Sequence, residues 1–404
     1  MRPVYPLRIK AMTQPNSSAL NSTAPKIPNL YFQWIDFLRG ISCLGIVLYH
    51  VRVDLWIGWN AISSSPTSFS WFDRAAALLS IPIPFLRSSV MLFFLISGFC
   101  IHYPYVTGER SLALKPYTIR RFFRIYPPYF IVVILGAFLQ LSMTHYLSKM
   151  SANSLSFGQV ISTIFMVQNY GSDAGQMAIN PSLWSLPVEI ELYLAYPIFY
   201  WLLRRYSIKR TMILVGCVSL GALSFLMLTY WDNPDKHLGY VGNFALYWII
   251  WCAGALLAEW AKRDRLPTWK FWHWGIMAGT FALSMTAFQL KLFIGLQDLV
   301  WSSFYFTVFL WGLTQTQVKG LLNSKPGILL SSIGLISYSL YLVHYPFFRL
   351  CGLIWINVFG AKPTNLLIPI AFSFLAIAIA YIFYISFEKV SHNLARKLAS
   401  STKT

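Results

Sequence analysis

Apolar stretches of about 20 residues recur along this chain, near 34–53, 86–103, 126–147, 182–203, 211–231, 240–260, 271–290, 297–317, 328–350 and 366–387. At 1.5 Å per residue each is long enough to cross a bilayer as an α-helix. In lipid, the backbone N–H and C=O groups must be satisfied within the spanning segment, which leaves a helix bundle as the fold. The expected class is therefore all-α: a polytopic membrane helix bundle of about ten transmembrane spans. Composition agrees: charged residues make up 11% of the chain, where a soluble domain has roughly a quarter. The expected organisation is a disordered cytoplasmic tail over 1–33, a membrane domain over 34–389 and a cytoplasmic tail over 390–404. The stretch 155–169 is apolar but short and follows a polar loop, so it reads as interfacial or re-entrant.

Charge sets the orientation. With the N-terminus inside, about three quarters of the 32 basic residues fall on the cytoplasmic side, as the positive-inside rule requires. Both termini are then cytoplasmic. The net charge of +19 follows from this topology and calls for no nucleic-acid partner. The five cysteines lie singly in apolar segments, with neither a CxxC pair nor a histidine cluster beside them. That argues against a disulfide framework and against a metal site.

Against this apolar background a few ionisable residues stand out. The first span, IDFLRGISCLGIVLYHV (35–51), carries Asp36, Arg39 and His50. Arg39 and His50 are eleven residues apart, which returns them to nearly one helix face about 16 Å apart along the axis. The fourth span places Glu189 about 10 Å below the outer surface. Glu191 is two residues further and cannot share that face, so one of the two needs a separate partner. The ninth span carries Tyr338, Tyr341 and His344, expected in its outer half. Ionisable groups within a membrane are costly and mark functional paths by default. Two histidines and a carboxylate at similar depth fit an acid/base cluster, and equally a polar network that fixes helix packing.

On the inner side lies ALKPYTIRRFFRIYPPYF (113–130), in which Pro116 and the Pro127–Pro128 pair bracket Arg120, Arg121 and Arg124. Arg121 and Arg124, three apart on a helical turn, can close on one ligand. The guanidinium fork suits phosphate; a basic cluster that sets topology or touches anionic membrane lipids is the plainer reading.

Five segments, in order, resemble the acyltransferase-3 family of integral membrane O-acyltransferases of the glycan O-acetyltransferase type. They are IDFLRGISCLGIVLYH, FFLISGFCI (93–101), RRFFRIYP (120–127), SLWSLPVEIELYLAYP (182–197) and ISYSLYLVHYPFF (336–348). There are two departures. Ile190 and Glu191 stand where the family usually has Glu and Gln, and Val390 replaces a usual proline in the closing YISFEKVSHNLARK. The resemblance implies a donor, acyl-CoA and most simply acetyl-CoA, reaching the bundle from the cytoplasm, and a surface glycan or lipid-linked saccharide as acceptor. It implies that Arg39, Arg120, Arg121 and Arg124 bind the donor, and that His50 and Glu189 are catalytic, with His50 as general base or acyl relay and Glu189 orienting it. Tyr341, His344 and Trp184 would bind the acceptor, and Asp36 would be structural or orienting. The expected location is the inner membrane of a bacterium.

The residues alone also suit a proton-coupled transporter, which carries intramembrane His and Glu too. An acyltransferase acting on a non-sugar acceptor is a further alternative. Nothing in helices of Leu, Phe and Tyr selects the acceptor.

Overall fold

The computed structural model describes residues 27–108, 111–146, 155–170, 179–230, 243–315 and 318–401. The described residues form a helical bundle: α1 Ile27–His50, α2 Ser89–His102, α3 Leu114–Tyr146, α4 Phe157–Ile164, α5 Ser185–Arg205, α6 Ile208–Tyr230 and α7 Phe244–Lys262, then α8 Phe271–Gln289, α9 Ile294–Thr314, α10 Lys325–Leu335, α11 Ser337–Phe359, α12 Leu367–Phe383 and α13 Lys389–Ser401. Eight helical segments are long and apolar enough to cross a membrane. Large side chains such as Phe138, Leu220, Leu228 and Phe374 remain uncovered on the outside of the bundle, where lipid replaces a protein partner.

Helices occupy the ten expected segments, with three differences. First, α8 and α9 are not among the eight apolar candidates. They carry Trp272, His273, Trp274, Gln297 and Asp298, which lower their hydropathy. Asp298 is buried and paired, at 3.2 Å to Arg87 and 3.0 Å to the Tyr247 hydroxyl.

Second, the ninth stretch is two helices that break at Ile336. Gly40 backs onto the Leu330 carbonyl and Gly334 onto that of Asp36, so α10 crosses α1 antiparallel at a distance only glycine permits. The next helix, α11, runs the other way: Cys43 meets the Ser337 carbonyl and Gly352 meets that of Asp54. Tyr338, expected beside His344 in one half of the span, consequently sits in the first turn of α11 at the end of the bundle that carries Arg120, Arg121 and Arg124. The N–H of Ser339, orphaned at this helix start, is accepted by Glu388 at 3.1 Å. A second reciprocal glycine crossing joins α2 and α7, where Gly98 faces the Trp251 carbonyl and Gly254 that of Leu95.

Third, the arginine segment is no separate piece. One helix runs through Pro127 and Pro128, so the arginines ride on the inward extension of the third span. Pro127 cannot donate to the Phe123 carbonyl four residues back; the Ser391 hydroxyl of α13 does so instead. The C-terminal segment from 390, expected as a tail, is thus a docked helix. The expected N-terminal tail lies, over 1–26, outside the described residues. The stretch 155–169 contains the eight-residue α4, opened by a Ser156–Gln159 capping box and too short to span.

Candidate active site

The sequence of α1 places Arg39 and His50 on one side of the helix, and the fold puts a different surrounding at each. A cavity of about 240 Å³ opens at the arginine-rich face, walled by Asp36, Arg39, Arg120, Arg121, Arg124 and Arg396 together with Glu388 and His392. Arg121 leans over the rings of Tyr117 and Tyr193, each 5.6 Å away, and its buried Nε has no partner among the described residues. Such a donor surplus is what a polyanionic ligand would satisfy.

A narrower cavity of about 60 Å³ continues into the bundle between Phe93, Phe94, Ser97, Glu189, Ser185 and Tyr341. Arg39, Arg124, Ser337 and Tyr338 line both cavities, so the two adjoin, and these side chains form the boundary, or neck, between them. At the far end Tyr341 closes the narrow cavity. Its hydroxyl lies 2.6 Å from Ser185 Oγ and donates to the Ser182 carbonyl.

Beyond Tyr341 stands a polar cluster drawn from three elements. His50 Nε2 is 3.2 Å from Ser182 Oγ, and His344 Nε2 approaches the same oxygen at 3.5 Å. His50 Nδ1 lies 3.3 Å from Asp54 Oδ2, and His344 Nδ1 lies 3.0 Å from the Leu340 carbonyl. Both Nδ1 atoms face acceptors and therefore carry the proton in the neutral rings, which turns both Nε2 lone pairs toward Ser182. Ser182 is held in turn by Asn180, whose Oδ1 accepts its N–H at 3.0 Å while Nδ2 donates to the Leu342 carbonyl at 3.1 Å. Asp54 is within reach because it follows His50 by four residues, one helical turn; it lies in a π-helical turn over Val51–Leu55 that continues α1.

The structure brings His50, His344 and Tyr341 together, while Glu189 shares the narrow cavity with Tyr341 and makes no hydrogen bond to either histidine. Glu189 sits about two helical turns inward of Ser182, bound by Ser97 Oγ at 3.2 Å and by the Tyr193 hydroxyl, and it faces the arginine neck. The carboxylate against His50 is Asp54. Glu191 finds the separate partners its position required, Tyr170 at 2.8 Å and the Phe244 N–H at 3.3 Å. Trp184 packs between Phe94 and Tyr247, away from the histidines. Asp36 is buried at the wall of the wide cavity. The reading of the sequence missed Asp54, Ser182, Ser185, Glu388 and Arg396. An acid four residues after His50 was the available signal for Asp54; the others depend on helices distant in sequence.

An arginine-walled cavity and a pair of imidazoles, one buried and one partly buried, inside a polytopic helix bundle define the class as an integral membrane protein with a polar interior site. The family model described as an acyltransferase domain matches residues 32–385, and the chain belongs to this acyltransferase-3 family. It is 24% identical over 339 residues to the peptidoglycan O-acetyltransferase OatA of Listeria monocytogenes, covering 79% of this chain and 50% of that protein. It is 24% identical over 342 residues to the O-acetyltransferase OatA of Staphylococcus aureus, covering 78% of this chain and 50% of that protein. It is also 24% identical over 253 residues to nodulation protein 10 of Rhizobium leguminosarum bv. viciae, covering 59% of this chain and 63% of the relative. The chain thus spans between half and two thirds of the length of these relatives. No solved structure matches it.

Proposed function

We propose that this protein is a membrane O-acyltransferase that moves an acyl group, in the simplest case acetyl, from cytoplasmic acyl-CoA to a hydroxyl of an extracytoplasmic glycan. The observation that carries the reading is the adjacency of the two cavities: Arg39 and Arg124 line both the arginine-walled cavity and the narrow one, whose lining includes Tyr341, and the Tyr341 hydroxyl donates to the carbonyl of Ser182, the serine between His50 and His344. Arg120, Arg121 and Arg124 hold the donor phosphates, with Arg39 at the neck and Arg396 opposite. The pantetheine arm enters along α1 and delivers the thioester past Tyr341. His50, oriented by Asp54, takes the proton of the acceptor hydroxyl. Glu189 balances the charge of the arginines at the neck. The glycan acceptor is drawn from the name of the peptidoglycan O-acetyltransferase relative, and a bacterial membrane from the organisms of the relatives.

The test is transfer of label from radioactive acetyl-CoA in membrane vesicles of both orientations, followed by mass spectrometry of envelope glycans with and without the protein. The expected result is labelling only when the arginine-rich face is accessible to donor, with one acetyl mass gained per modified sugar. Labelled lipid or peptide in place of glycan would overturn the acceptor, and substrate flux without any acylated product would overturn the reaction.

A further inference from the structure

Ser182 is the only hydroxyl, among the described residues, that lies within hydrogen-bond distance of two imidazole nitrogens. It has one proton to give and two lone pairs directed at it. Its backbone is fixed on both sides, the N–H by Asn180 and the carbonyl by Tyr341. Asp54, His50 and Ser182 line up as carboxylate, imidazole and hydroxyl, an order in which the imidazole can take a proton from an incoming hydroxyl and return it to the serine oxygen as that oxygen leaves an ester.

We propose, building on the transferase reading above, that Ser182 carries the acyl group covalently between donor and acceptor, with one histidine serving each half of the transfer. Exposure separates their tasks. His344 is fully buried, and its ring lies 5.9 Å from that of Tyr341 at the end of the inner cavity. The His50 and Asp54 side chains keep 13% and 19% of their surface accessible at the outer end of α1. In the loading half, the Ser182 hydroxyl adds to the thioester carbonyl while its proton passes to His344 Nε2. The C–S bond then breaks, an ester C–O bond remains on Ser182, and the departing thiolate takes that proton to leave as CoA thiol. In the unloading half, an acceptor hydroxyl adds to the ester carbonyl and gives its proton to His50 Nε2. The C–O bond to Ser182 breaks, and the serine recovers its proton from His50. The sum is acyl-CoA plus acceptor alcohol giving acyl ester plus CoA.

The experiment uses the purified full-length protein with radioactive acetyl-CoA and no acceptor, reading CoA released per protein and the labelled peptide by mass spectrometry. Membranes bearing each variant are assayed in parallel for label reaching envelope glycan. Expected are about one equivalent of CoA and an acetyl ester at Ser182 in the parent protein. His50→Ala should load to the same level and fail to unload, so the ester persists. His344→Ala and Ser182→Ala should not load, and Ser182→Cys should show a thioester at the same position. Acetyl-CoA binding, measured on each variant, separates a failed step from a protein that no longer folds. Glycan labelling by Ser182→Ala at a rate within about threefold of the parent would overturn the relay and leave the transferase reading intact. Label on another residue, or none on a donor-binding His50→Ala protein, would do the same. No label on parent protein or on envelope would overturn both.

Discussion

Arg39 and His50 stand on one helix in two different surroundings: Arg39 lines both inner cavities, whereas His50 lines neither and has its Nε2 3.2 Å from Ser182 Oγ. Removing the imidazole should therefore stop transfer and leave donor binding alone. His50→Ala is expected to lose about 10²- to 10⁴-fold in turnover, the usual worth of a general base. Its acetyl-CoA affinity, measured by calorimetry in detergent, should stay within about twofold.

Asp54 holds the Nδ1 proton of His50 at 3.3 Å. Asp54→Asn keeps the shape but presents an amide that can steady the other tautomer, turning a protonated Nε2 toward Ser182. Turnover should fall by about 10²-fold with little change in the KM for donor. Steady-state kinetics with acetyl-CoA varied would separate the two.

Arg121 and Arg124 line the mouth, and Arg121 Nε has no partner among the described residues. A charge-assisted hydrogen bond contributes about 1.5–3 kcal/mol. Arg121→Ala should therefore raise the KM for acetyl-CoA about 10- to 100-fold and change saturated turnover little. Arg121→Lys should recover only part of this, since an ammonium cannot reproduce the planar fork. A donor shortened to the pantetheine thioester, which lacks the nucleotide, should not register either change.

The α2–α7 crossing depends on glycine. A Cβ at residue 254 would run into the Leu95 carbonyl, and overpacking of this kind typically costs about 1–3 kcal/mol. Gly254→Leu should lower the melting temperature and the yield of monodisperse protein, while Gly279→Leu, which has nothing within 4 Å of its added Cβ, should change neither. Tryptophan-fluorescence melting checks both.

The membrane class, the ten helical segments and the arginine mouth were legible because hydropathy and basic clusters are local signals. Nothing in the sequence marks Gly40 and Gly334 as the two sides of one crossing, because each meets a helix about 290 residues away only in the folded bundle. The break at Ile336 was hidden in the same way, since α10 and α11 are both apolar and read as one run. The histidines and Tyr341 could be singled out as polar side chains in lipid-length segments. Which carboxylate serves His50 could not: the sequence points to Glu189, whereas the direction of α5 carries Glu189 to the neck and Asp54, one turn after His50, lies against the ring. Ser182 is an ordinary serine in sequence and acquires meaning only from the two rings that flank it.

A catalyst set in a membrane must also stay closed to ions. Here Arg39 and Arg124 stand where the wide and the narrow cavity meet, with Glu189 on the wall of one and Glu388 on the wall of the other. Opposed fixed charges at such a boundary hold one another and leave no run of a single sign for a free cation or anion to follow. The bundle should accordingly conduct no ions at rest.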